Sequence, residues 1–314
     1  MNDTISVIVP TLGRPNSLAA LLKALAAQTR RPDEVVVADG SPDQQVRSLA
    51  EDPRWTALGL VVRYLQVTPP HAVRQRQAAI ARSNGTLLLL LDDDVVPEPE
   101  CVAALEQCLG ERNGVAVTAD FSNQEWPPPT TLWRWYLRVA HRINGDAWQG
   151  RVIGPLLRFG YSPVPASPMP MEWLGTCNSL VRRDAYERAG GFSGFFLHRS
   201  TMNEDVDLGL KLRREGPIFL CPRARMAHMH APGGRPRVAM VAEDDVYNRF
   251  EILHRTLGRG RAPAALLVTL YVVLETISGI TAVVRRRRSN AFGDRLAGRI
   301  RALGRVASAL ARKS

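Results

Sequence analysis

Five consecutive leucines, Leu87–Leu91, constrain the fold of this chain more than any other segment. A strand with one face in water alternates apolar and polar residues, because successive side chains point to opposite faces of the sheet. This run has no polar face, so it fits a strand that is covered on both sides. The leucines therefore predict a central strand of an α/β domain.

Short apolar runs and helical patterns alternate around this strand. The runs Ile5–Val9, Glu34–Val37 and Val61–Leu65 are rich in β-branched residues, and the segments Ser17–Gln28 and Val73–Arg82 repeat apolar residues at helical spacing. Such alternation is typical of βαβ units. The N-terminal part is therefore predicted to form a mostly parallel sheet flanked by helices.

The composition changes near residue 240, where we place a domain boundary. We predict a catalytic domain over residues 1–240 and a helical, basic region over residues 241–314. Within that region, Ala262–Val284 is apolar apart from Glu275, and residues 285–314 contain ten Lys or Arg and one acid. This tail contributes much of the net charge of +11 and predicts an anionic membrane surface as partner.

The apolar segment Ala262–Val284 is long enough to cross a membrane, at about 34 Å as a helix. A crossing would export the basic tail, against the positive-inside tendency, and would place Glu275 in lipid. We favour a helix or a re-entrant pair that packs on the membrane surface or on a partner chain. A basic amphipathic helix follows, with apolar residues at Phe292, Leu296, Ile300, Leu303 and Leu310. Its folding onto the catalytic domain is the alternative.

The expected location is the cytoplasm, with peripheral association with the cytoplasmic membrane. The four cysteines have no C-x-x-C spacing, so neither a zinc site nor a disulfide framework is predicted. The N-terminus shows no basic segment followed by an apolar one, since Ile5–Val9 already has the pattern of a strand. Nucleic acid is not expected as a partner, because the basic tail lacks interleaved aromatic residues.

An aspartate triplet, Asp92, Asp93 and Asp94, directly follows the leucine strand, and Asp39 follows an earlier one. In doubly wound sheets the ligand site forms at these carboxyl ends. Crowded carboxylates repel each other unless a cation neutralises them, and oxygen ligands suit Mn2+ or Mg2+. The triplet therefore predicts a metal site that faces substrate phosphates. A helix cap or a solvated turn is the alternative.

Six segments of the first 230 residues resemble, in order and spacing, the family 2 glycosyltransferases with a GT-A fold. The segments are Val7–Thr11, Glu34–Ser41, Gly85–Asp94, Trp173–Asn178, Gly190–Phe192 and Asn203–Leu208. The resemblance implies a Rossmann-like sheet and an inverting enzyme that transfers a sugar from a nucleoside-diphosphate sugar with the help of Mn2+ or Mg2+. It leaves the base and the sugar open, because Gln77 replaces the family's Asn and the loop after Asp39 is one residue short. The acceptor and the linkage stay open because they depend on the shape of the loops between Trp126 and Pro170.

The resemblance also implies roles for particular residues. It assigns metal binding to Asp92 and Asp94, with Asp94 as the direct ligand, and to His228 as a third ligand. His230 competes with His228 and would face the opposite side of a continuing strand. The residues implied to contact the donor are Pro10, Thr11, Asp39, Arg76, Asp93, Trp173, Gly175 and Asn178. For Trp173, simple packing is the alternative.

Glu204 and Asp205 begin a predicted helix, Glu204–Arg214, where free N–H groups and the helix dipole favour carboxylates. Helix capping alone would account for one of the two. The resemblance implies that this pair is catalytic and that Asp205 is the general base, which accepts the proton of the acceptor hydroxyl. The segment from Trp126 to Pro170, rich in proline and containing four tryptophans, is expected to be a substrate-facing insertion rather than core.

The predicted function is a metal-dependent inverting transfer of a sugar to a lipid-linked or glycan acceptor at the cytosolic membrane face. Two other classes of protein match the sequence less well. A sugar nucleotidyltransferase would need a glycine-rich, basic loop after the first strand, where Thr11–Pro15 has only Gly13 and Arg14. A non-catalytic sugar-binding scaffold would be expected to lose the D-x-D or the E-D pair, and both are intact.

Overall fold

The computed structural model describes residues 3–198, 201–231, 237–284 and 291–311. Basic residues 285–288 and Arg312, which belong to the predicted tail, lie outside this range. The strands are β1 Ile5–Thr11, β2 Glu34–Asp39, β3 Val62–Gln66, β4 Leu87–Leu91, β5 Val95–Pro97, β6 Ala116–Phe121, β7 Val152–Ile153, β8 Leu157–Arg158, β9 Met169–Met171, β10 Asn178–Arg182 and β11 Ile218–His228.

Helices alternate with these strands through the first half of the chain and dominate its end. They are α1 Pro15–Ala26, α2 Gln45–Ala50, α3 Arg54–Ala57, α4 Ala72–Arg82, α5 Cys101–Glu111, α6 Thr131–His141, α7 Arg183–Arg188, α8 Glu204–Leu212, α9 Val238–Glu251, α10 Arg261–Val284 and α11 Phe292–Ala311. A 3-10 turn spans Gly194–His198, and a π-helical turn spans Ile252–Thr256.

The central sheet has the strand order β3-β2-β1-β4-β10-β6-β11-β5, and β9 pairs with β11. Strands β3, β2, β1 and β4 are parallel, as predicted. In the other half β6 and β11 are also parallel, whereas β10 runs antiparallel between β4 and β6, and β5 and β9 run antiparallel to β11, so the sheet is mixed. The reversal brings Asn178, at the start of β10, opposite Leu91, at the end of β4. The carboxyl end of β4 therefore meets the loop that precedes β10.

The leucine strand β4 is buried along its whole length, as the sequence predicted. Leu88 and Leu90 lie in one hydrophobic core, and Leu87, Leu89 and Leu91 lie in the other. This division follows from the alternation of side chains in a strand. Helices cover both faces of the sheet at β4. The strand ends at the aspartate triplet, of which Asp93 and Asp94 are buried.

The segment between Trp126 and Pro170 is more deeply packed than predicted. Helix α6 within it is strongly amphipathic, and its side chains Trp133, Tyr136 and Leu137 belong to the main core. Trp148 is also buried, whereas Trp135 is 55% exposed. The segment is therefore a core layer whose far end, around Arg158, reaches the candidate site.

The C-terminal helices form a layer against this segment. Helix α9 begins close to the boundary that we predict near residue 240, and that boundary stays a prediction. Helix α10 is one continuous helix, so the alternative of a re-entrant pair is wrong. In the described chain it is the one helix that is long and apolar enough to cross a membrane, over Arg261–Thr281. Its Glu275 accepts hydrogen bonds from Trp133 at 2.9 Å and Arg299 at 2.8 Å, so this carboxylate faces protein.

Helix α11 folds back onto α9, which lies almost entirely within the predicted C-terminal region, so the alternative of folding onto the catalytic domain stays a prediction. A Cβ on Gly298 would lie 2.1 Å from the carbonyl oxygen of Ala239, so the absence of a side chain permits the close approach. Arg301 and Arg305 both pair with Glu243, at 3.0 and 3.4 Å. These arginines are occupied within the protein, which weakens the prediction that they bind anionic lipid.

Candidate active site

A cavity of about 350 Å3 opens at the carboxyl ends of β1 and β4. Its lining includes four residues predicted to contact the donor, Pro10, Thr11, Arg76 and Asp93, together with the predicted metal ligand Asp92 and the predicted catalytic residue Glu204. Asp39 lies behind this cavity rather than on its surface. Its carboxylate is fully buried and accepts hydrogen bonds from the Ser41 N–H at 2.8 Å and the Tyr64 hydroxyl at 3.0 Å.

The first two aspartates of the triplet have separate partners. Asp92 pairs with Arg76 at 2.5 Å. Asp93 accepts hydrogen bonds from the Thr11 hydroxyl at 2.6 Å and from the Arg14 guanidinium at 3.2 Å. Burial raises the pKa of Asp93 to about 6, although Thr11 and Arg14 act in the opposite direction. Asp93 is thus tied to the β1 end of the cavity.

Asp94 and His228 face each other beside this cavity. The Nε2 atom of His228 lies 3.2 Å from Asp94 Oδ1, and the Ala231 N–H donates to Asp94 Oδ2 at 2.9 Å. Burial tends to raise the pKa of Asp94, but the contacts with His228 and Ala231 outweigh it and lower the pKa below its ordinary value. One ligand atom from each of Asp92, Asp94 and His228 lies within 4.8 Å of the others.

This donor set fits a divalent cation. Two carboxylates and one imidazole suit Mn2+, and Mg2+ accepts the carboxylates. The Nδ1 atom of His228 lies 3.0 Å from the Gln124 side-chain amide. If Nε2 binds a metal, Nδ1 carries the proton and donates it in a hydrogen bond. Gln124 then has to accept this bond with its side-chain oxygen, and a flip of the amide places the oxygen there.

His230 does not lie on the opposite side of a strand from His228, so that expectation is wrong. Strand β11 ends at His228, and His230 has a φ of 49°, which turns the chain back. The two imidazole rings are 4.1 Å apart, and the Gln124 amide bridges them. Both histidines therefore lie at the same edge of the site.

Glu204 and Asp205 begin α8 as predicted, but they point to different partners. Glu204 is buried and accepts hydrogen bonds from Arg76 at 3.1 Å and Thr176 at 3.0 Å. Burial raises the pKa of Glu204, and Arg76 and Thr176 oppose the rise. One guanidinium thus joins Glu204 to Asp92, which gives Glu204 a supporting place in the wall of the cavity.

The Asp205 carboxylate forms an ion pair with Arg158, at the end of β8. The other carboxylate oxygen accepts the Val206 N–H at 2.8 Å. Arg158 also lies over the ring of Trp173, with 5.2 Å between the guanidinium carbon and the ring centroid. A carboxylate has about four lone-pair sites, so Asp205 can accept a further hydrogen bond in addition to these two contacts.

A second cavity of about 190 Å3 adjoins Asp205. Its lining includes the predicted residues Trp173, Gly175, Asn178 and His228, together with Arg158 and Trp126. Asn178 donates to the Ala119 carbonyl at 2.6 Å, while its buried Oδ1 has no hydrogen-bond partner. A Cβ on Gly175 would lie 2.1 Å from that oxygen. The absence of a side chain at Gly175 therefore leaves room for this unpaired amide oxygen at the wall of the smaller cavity.

Four residues of the site were not identified from the sequence: Arg14, Gln75, Gln124 and Arg158. Gln75 donates to the carbonyls of Thr11 and Ala38, both at 2.7 Å, and so joins the ends of β1 and β2. Arg14 lies next to Gly13 in the loop after β1, and this position at a strand end is the sequence feature that could have identified it as a site residue. The others come from segments whose spatial neighbours the sequence does not reveal.

Two relatives of known class are similar to this chain in sequence. The chain is 25% identical over 262 residues to the O-antigen biosynthesis protein RfbC of Myxococcus xanthus, which covers 81% of this chain and 19% of that protein. It is 24% identical over 305 residues to an N-acetylglucosaminyl-diphospho-decaprenol L-rhamnosyltransferase of Mycobacterium tuberculosis, covering 92% and 96%. The chain therefore spans about a fifth of the first relative and nearly all of the second.

Solved structures share the fold. The Staphylococcus aureus TarS fragment 1–349 in complex with UDP-GlcNAc has a TM-score of 0.57 at 16% identity, over 97% of this chain and 83% of that one. GalNAc-T7 with UDP, GalNAc and Mn2+ has a TM-score of 0.55 at 13% identity, over 77% and 47%. The mixed sheet is GT-A-like, and the chain is a glycosyltransferase. Residues 6–158 match the family described as Glycosyl transferase family 2.

Proposed function

We propose that this glycosyltransferase inverts the anomeric centre of a nucleoside-diphosphate sugar, with Asp205 as base and a divalent cation held by Asp92, Asp94 and His228. The observation that carries the proposal is the position of this ligand set between two cavities. The larger cavity contacts Asp92 and the smaller one contacts both His228 and Asp205. A donor whose diphosphate lies at the boundary would place its nucleotide on one side and its sugar on the other.

The charge of the site supports a bound cation. Five carboxylates lie at or beside the cavity boundary, Asp92, Asp93, Asp94, Glu204 and Asp205, and the guanidiniums that pair with them belong to Arg14, Arg76 and Arg158. When all are ionised, two negative charges remain, which a divalent cation neutralises. Bound at Asp92, Asp94 and His228, the cation would stabilise the negative charge of the departing diphosphate.

The protein groups account for the rest of the reaction. The acceptor hydroxyl oxygen forms a bond to the anomeric carbon while the bond from that carbon to the diphosphate oxygen breaks. The hydroxyl proton passes to Asp205, and the electron pair of the broken bond leaves with the nucleoside diphosphate. Asn178 and Trp173 contact the sugar, and Arg158 holds the Asp205 carboxylate in place. Attack on the face opposite the leaving group inverts the anomeric centre.

A lipid-linked or glycan acceptor at the cytosolic membrane face completes the proposal. The rhamnosyltransferase relative is named for a decaprenol-linked diphospho-sugar, which supports an acceptor carried by a lipid diphosphate. The O-antigen relative supports an envelope polysaccharide as the product. The donor sugar and base stay open.

Donor binding tests this function directly. We expect a UDP-, GDP- or dTDP-sugar at 100 times its Kd to stabilise the protein by about 2.7 kcal/mol in the presence of Mn2+ or Mg2+, and to do so far less with EDTA. Differential scanning fluorimetry measures the shift, with nucleoside monophosphates as controls. Stabilisation by sugar phosphates together with nucleoside triphosphates alone would instead indicate a nucleotidyltransferase. The absence of stabilisation by any nucleoside diphosphate would contradict the donor assignment.

Helix α10 supports the membrane association that is part of this proposal. Its exposed side chains form an apolar stripe made of Leu266, Val273, Ile277, Ile280 and Val284, each between 46% and 76% exposed. Their spacings of seven, four, three and four residues place them on one helix face. Charged residues would flank such a stripe in a coiled coil, whereas the segment 262–284 has no charge except the inward-facing Glu275. Lipid therefore suits this face better than a second copy of the chain.

Vesicle binding provides a prediction for the stripe. Each half-exposed side chain gains roughly 1 kcal/mol when lipid covers it, so Val273→Ser with Ile277→Ser should weaken partitioning about 30-fold. Co-sedimentation with phosphatidylcholine–phosphatidylglycerol vesicles measures the change. Val61→Ser is the control, because Val61 is 52% exposed at the start of the β3 edge of the sheet. A wild-type protein that stays in the supernatant, or a lipid-free dimer that the double variant dissociates, would contradict membrane binding by this stripe.

A further inference from the structure

A buried polar cluster connects the C-terminal helices to the helix that carries Asp205. Its members are Asn203, Asp245, Arg249 and Tyr271, which we name the Asp245 cluster. Asp245, on α9, accepts hydrogen bonds from Asn203 at 3.0 Å, from the Tyr271 hydroxyl at 2.7 Å and from Arg249 at 3.1 Å. Burial tends to raise the pKa of Asp245, but these partners, led by Arg249, lower it overall. The carboxylate is therefore a charged, fully bonded junction.

One arm of the cluster fixes the residues directly before the catalytic pair. Asn203 has a φ of 70°, in the left-handed region that asparagine tolerates better than most residues. Its side chain donates to the Asp245 carboxylate and to the Asp245 carbonyl instead of capping α8. Asn248, one turn further along α9, donates to the Met202 carbonyl at 2.8 Å. Helix α9 therefore sets the point from which Glu204 and Asp205 begin α8.

The other arm holds the segment that supplies the partner of Asp205. The Arg249 guanidinium donates to the carbonyls of Pro155, at 3.1 Å, and Leu156. Leu156 has a φ of 62°, a conformation that leucine avoids unless its surroundings enforce it. Strand β8 follows at once and ends in Arg158, which forms the ion pair with Asp205.

We propose that Asp245 and Arg249 are positioning residues for the Asp205 carboxylate, since together they hold the chain before Asp205 and the chain that carries its arginine partner. The proposal rests on the role of Asp205 given above. The cluster also joins α10 to the site, because Tyr271 belongs to α10. The guanidinium carbon of Arg249 lies 4.3 Å from the centroid of the Tyr271 ring, and this ring stacks on Trp133 with 6.3 Å between the ring centroids. The helix with the exposed apolar stripe thus packs directly on the cluster that orients the base.

Arg249→Lys is the main test. Lysine keeps the charge beside Asp245 but lacks the planar fork that serves two carbonyls and a carboxylate at once. Because a displacement of about 1 Å near the reacting atoms costs on the order of 100-fold, we expect kcat for sugar transfer to fall about 10- to 100-fold. The KM for the nucleotide sugar should stay within about twofold, since neither of the two cavities proposed to hold the donor is lined by a residue of the cluster. Amide hydrogen exchange should accelerate in residues 156–158 and 202–206.

Arg183→Lys is the matched control, because Arg183 also donates to two backbone carbonyls, those of Gly85 at 2.6 Å and Ile80 at 3.2 Å. This arginine lines neither cavity, so its variant should lose stability without a fall in kcat or faster exchange at residues 202–206. Tyr271→Phe removes one hydrogen bond from Asp245 and should show a smaller fall in kcat, which provides a second reading if Arg249→Lys does not fold.

Equal kcat values and equal exchange in the Arg249→Lys and Arg183→Lys proteins would overturn the positioning role. So would an unchanged kcat in Tyr271→Phe where Arg249→Lys does not fold. Failure of the proposed function is distinguishable, because it appears as a wild-type protein that transfers no sugar from any nucleoside-diphosphate donor. In that case the exchange comparison between the two lysine variants still decides whether the cluster holds residues 202–206.

Discussion

Asp94→Asn is expected to abolish metal-dependent donor binding and to lower kcat by about 1,000-fold. The substitution keeps the shape of the side chain but removes one of the two ligand charges. A metal that stabilises a leaving group lowers the activation free energy by several kcal/mol, and a 1,000-fold fall in kcat corresponds to a loss of about 4 kcal/mol. Asp94 accepts a hydrogen bond from the Ala231 N–H and lies opposite His228 Nε2, and no other described carboxylate occupies this position. Initial rates at saturating Mn2+, together with calorimetric binding of the nucleotide sugar, measure both effects.

Asp244→Asn controls for the loss of a buried carboxylate. Asp244 is 1% exposed and lies 3.7 Å from Arg305, on the face of α9 that meets α11. Its variant should change stability and leave the metal dependence of donor binding as in the wild type. If Asp94→Asn still binds the donor with the wild-type response to EDTA, Asp94 is not the direct ligand.

Asp205→Asn is the second variant with a large expected effect. An amide cannot accept the proton of the acceptor hydroxyl, and general-base catalysis contributes about 100- to 10,000-fold, so we expect kcat to fall by about 1,000-fold. Donor affinity should change by no more than about twofold, because Asp205 contacts the smaller cavity and not the nucleotide cavity. The combination of intact binding with lost transfer separates this variant from Asp94→Asn.

Asp207→Asn is the matched control on the same helix. Asp207 is buried, accepts a hydrogen bond from Ser193 at 2.7 Å and pairs with Lys211 at 3.2 Å, and it contacts neither cavity. Its substitution should reduce stability with kcat close to that of the wild type. Transfer by Asp205→Asn at the rate of Asp207→Asn would exclude Asp205 as the base.

The membrane-facing part of the proposal changes between sequence and structure. The sequence attributes the anionic-surface contact to the basic tail, residues 285–314. Of its arginines, the structure shows Arg299, Arg301 and Arg305 in ion pairs with Glu275 and Glu243. The exposed apolar residues of α10 replace these three arginines as the basis for the proposed membrane association.

Patterns within one element were readable from the sequence. The unbroken leucine run required a strand buried on both faces, and the carboxylates after it marked the end at which parallel strands place their ligands. The motif from Asn203 to Leu208 marked the beginning of a helix with acids at its positive end. These features depend on local geometry and on the separation of apolar from polar residues, which neighbouring residues specify.

Contacts between distant segments were decided by the tertiary structure alone. The direction of β10, the pairing of Arg158 with Asp205 and the place of Gln124 beside two histidines join residues that are 47 or more positions apart. The same is true of Arg14, whose side chain reaches the triplet across 79 positions. The sequence alone thus predicted which strand ends carry the carboxylates of the candidate site and that a cation binds there. Only the packing of the insertion and the C-terminal helices around them determined how Asp205 is held, because such contacts depend on the path of the whole chain and not on any local pattern.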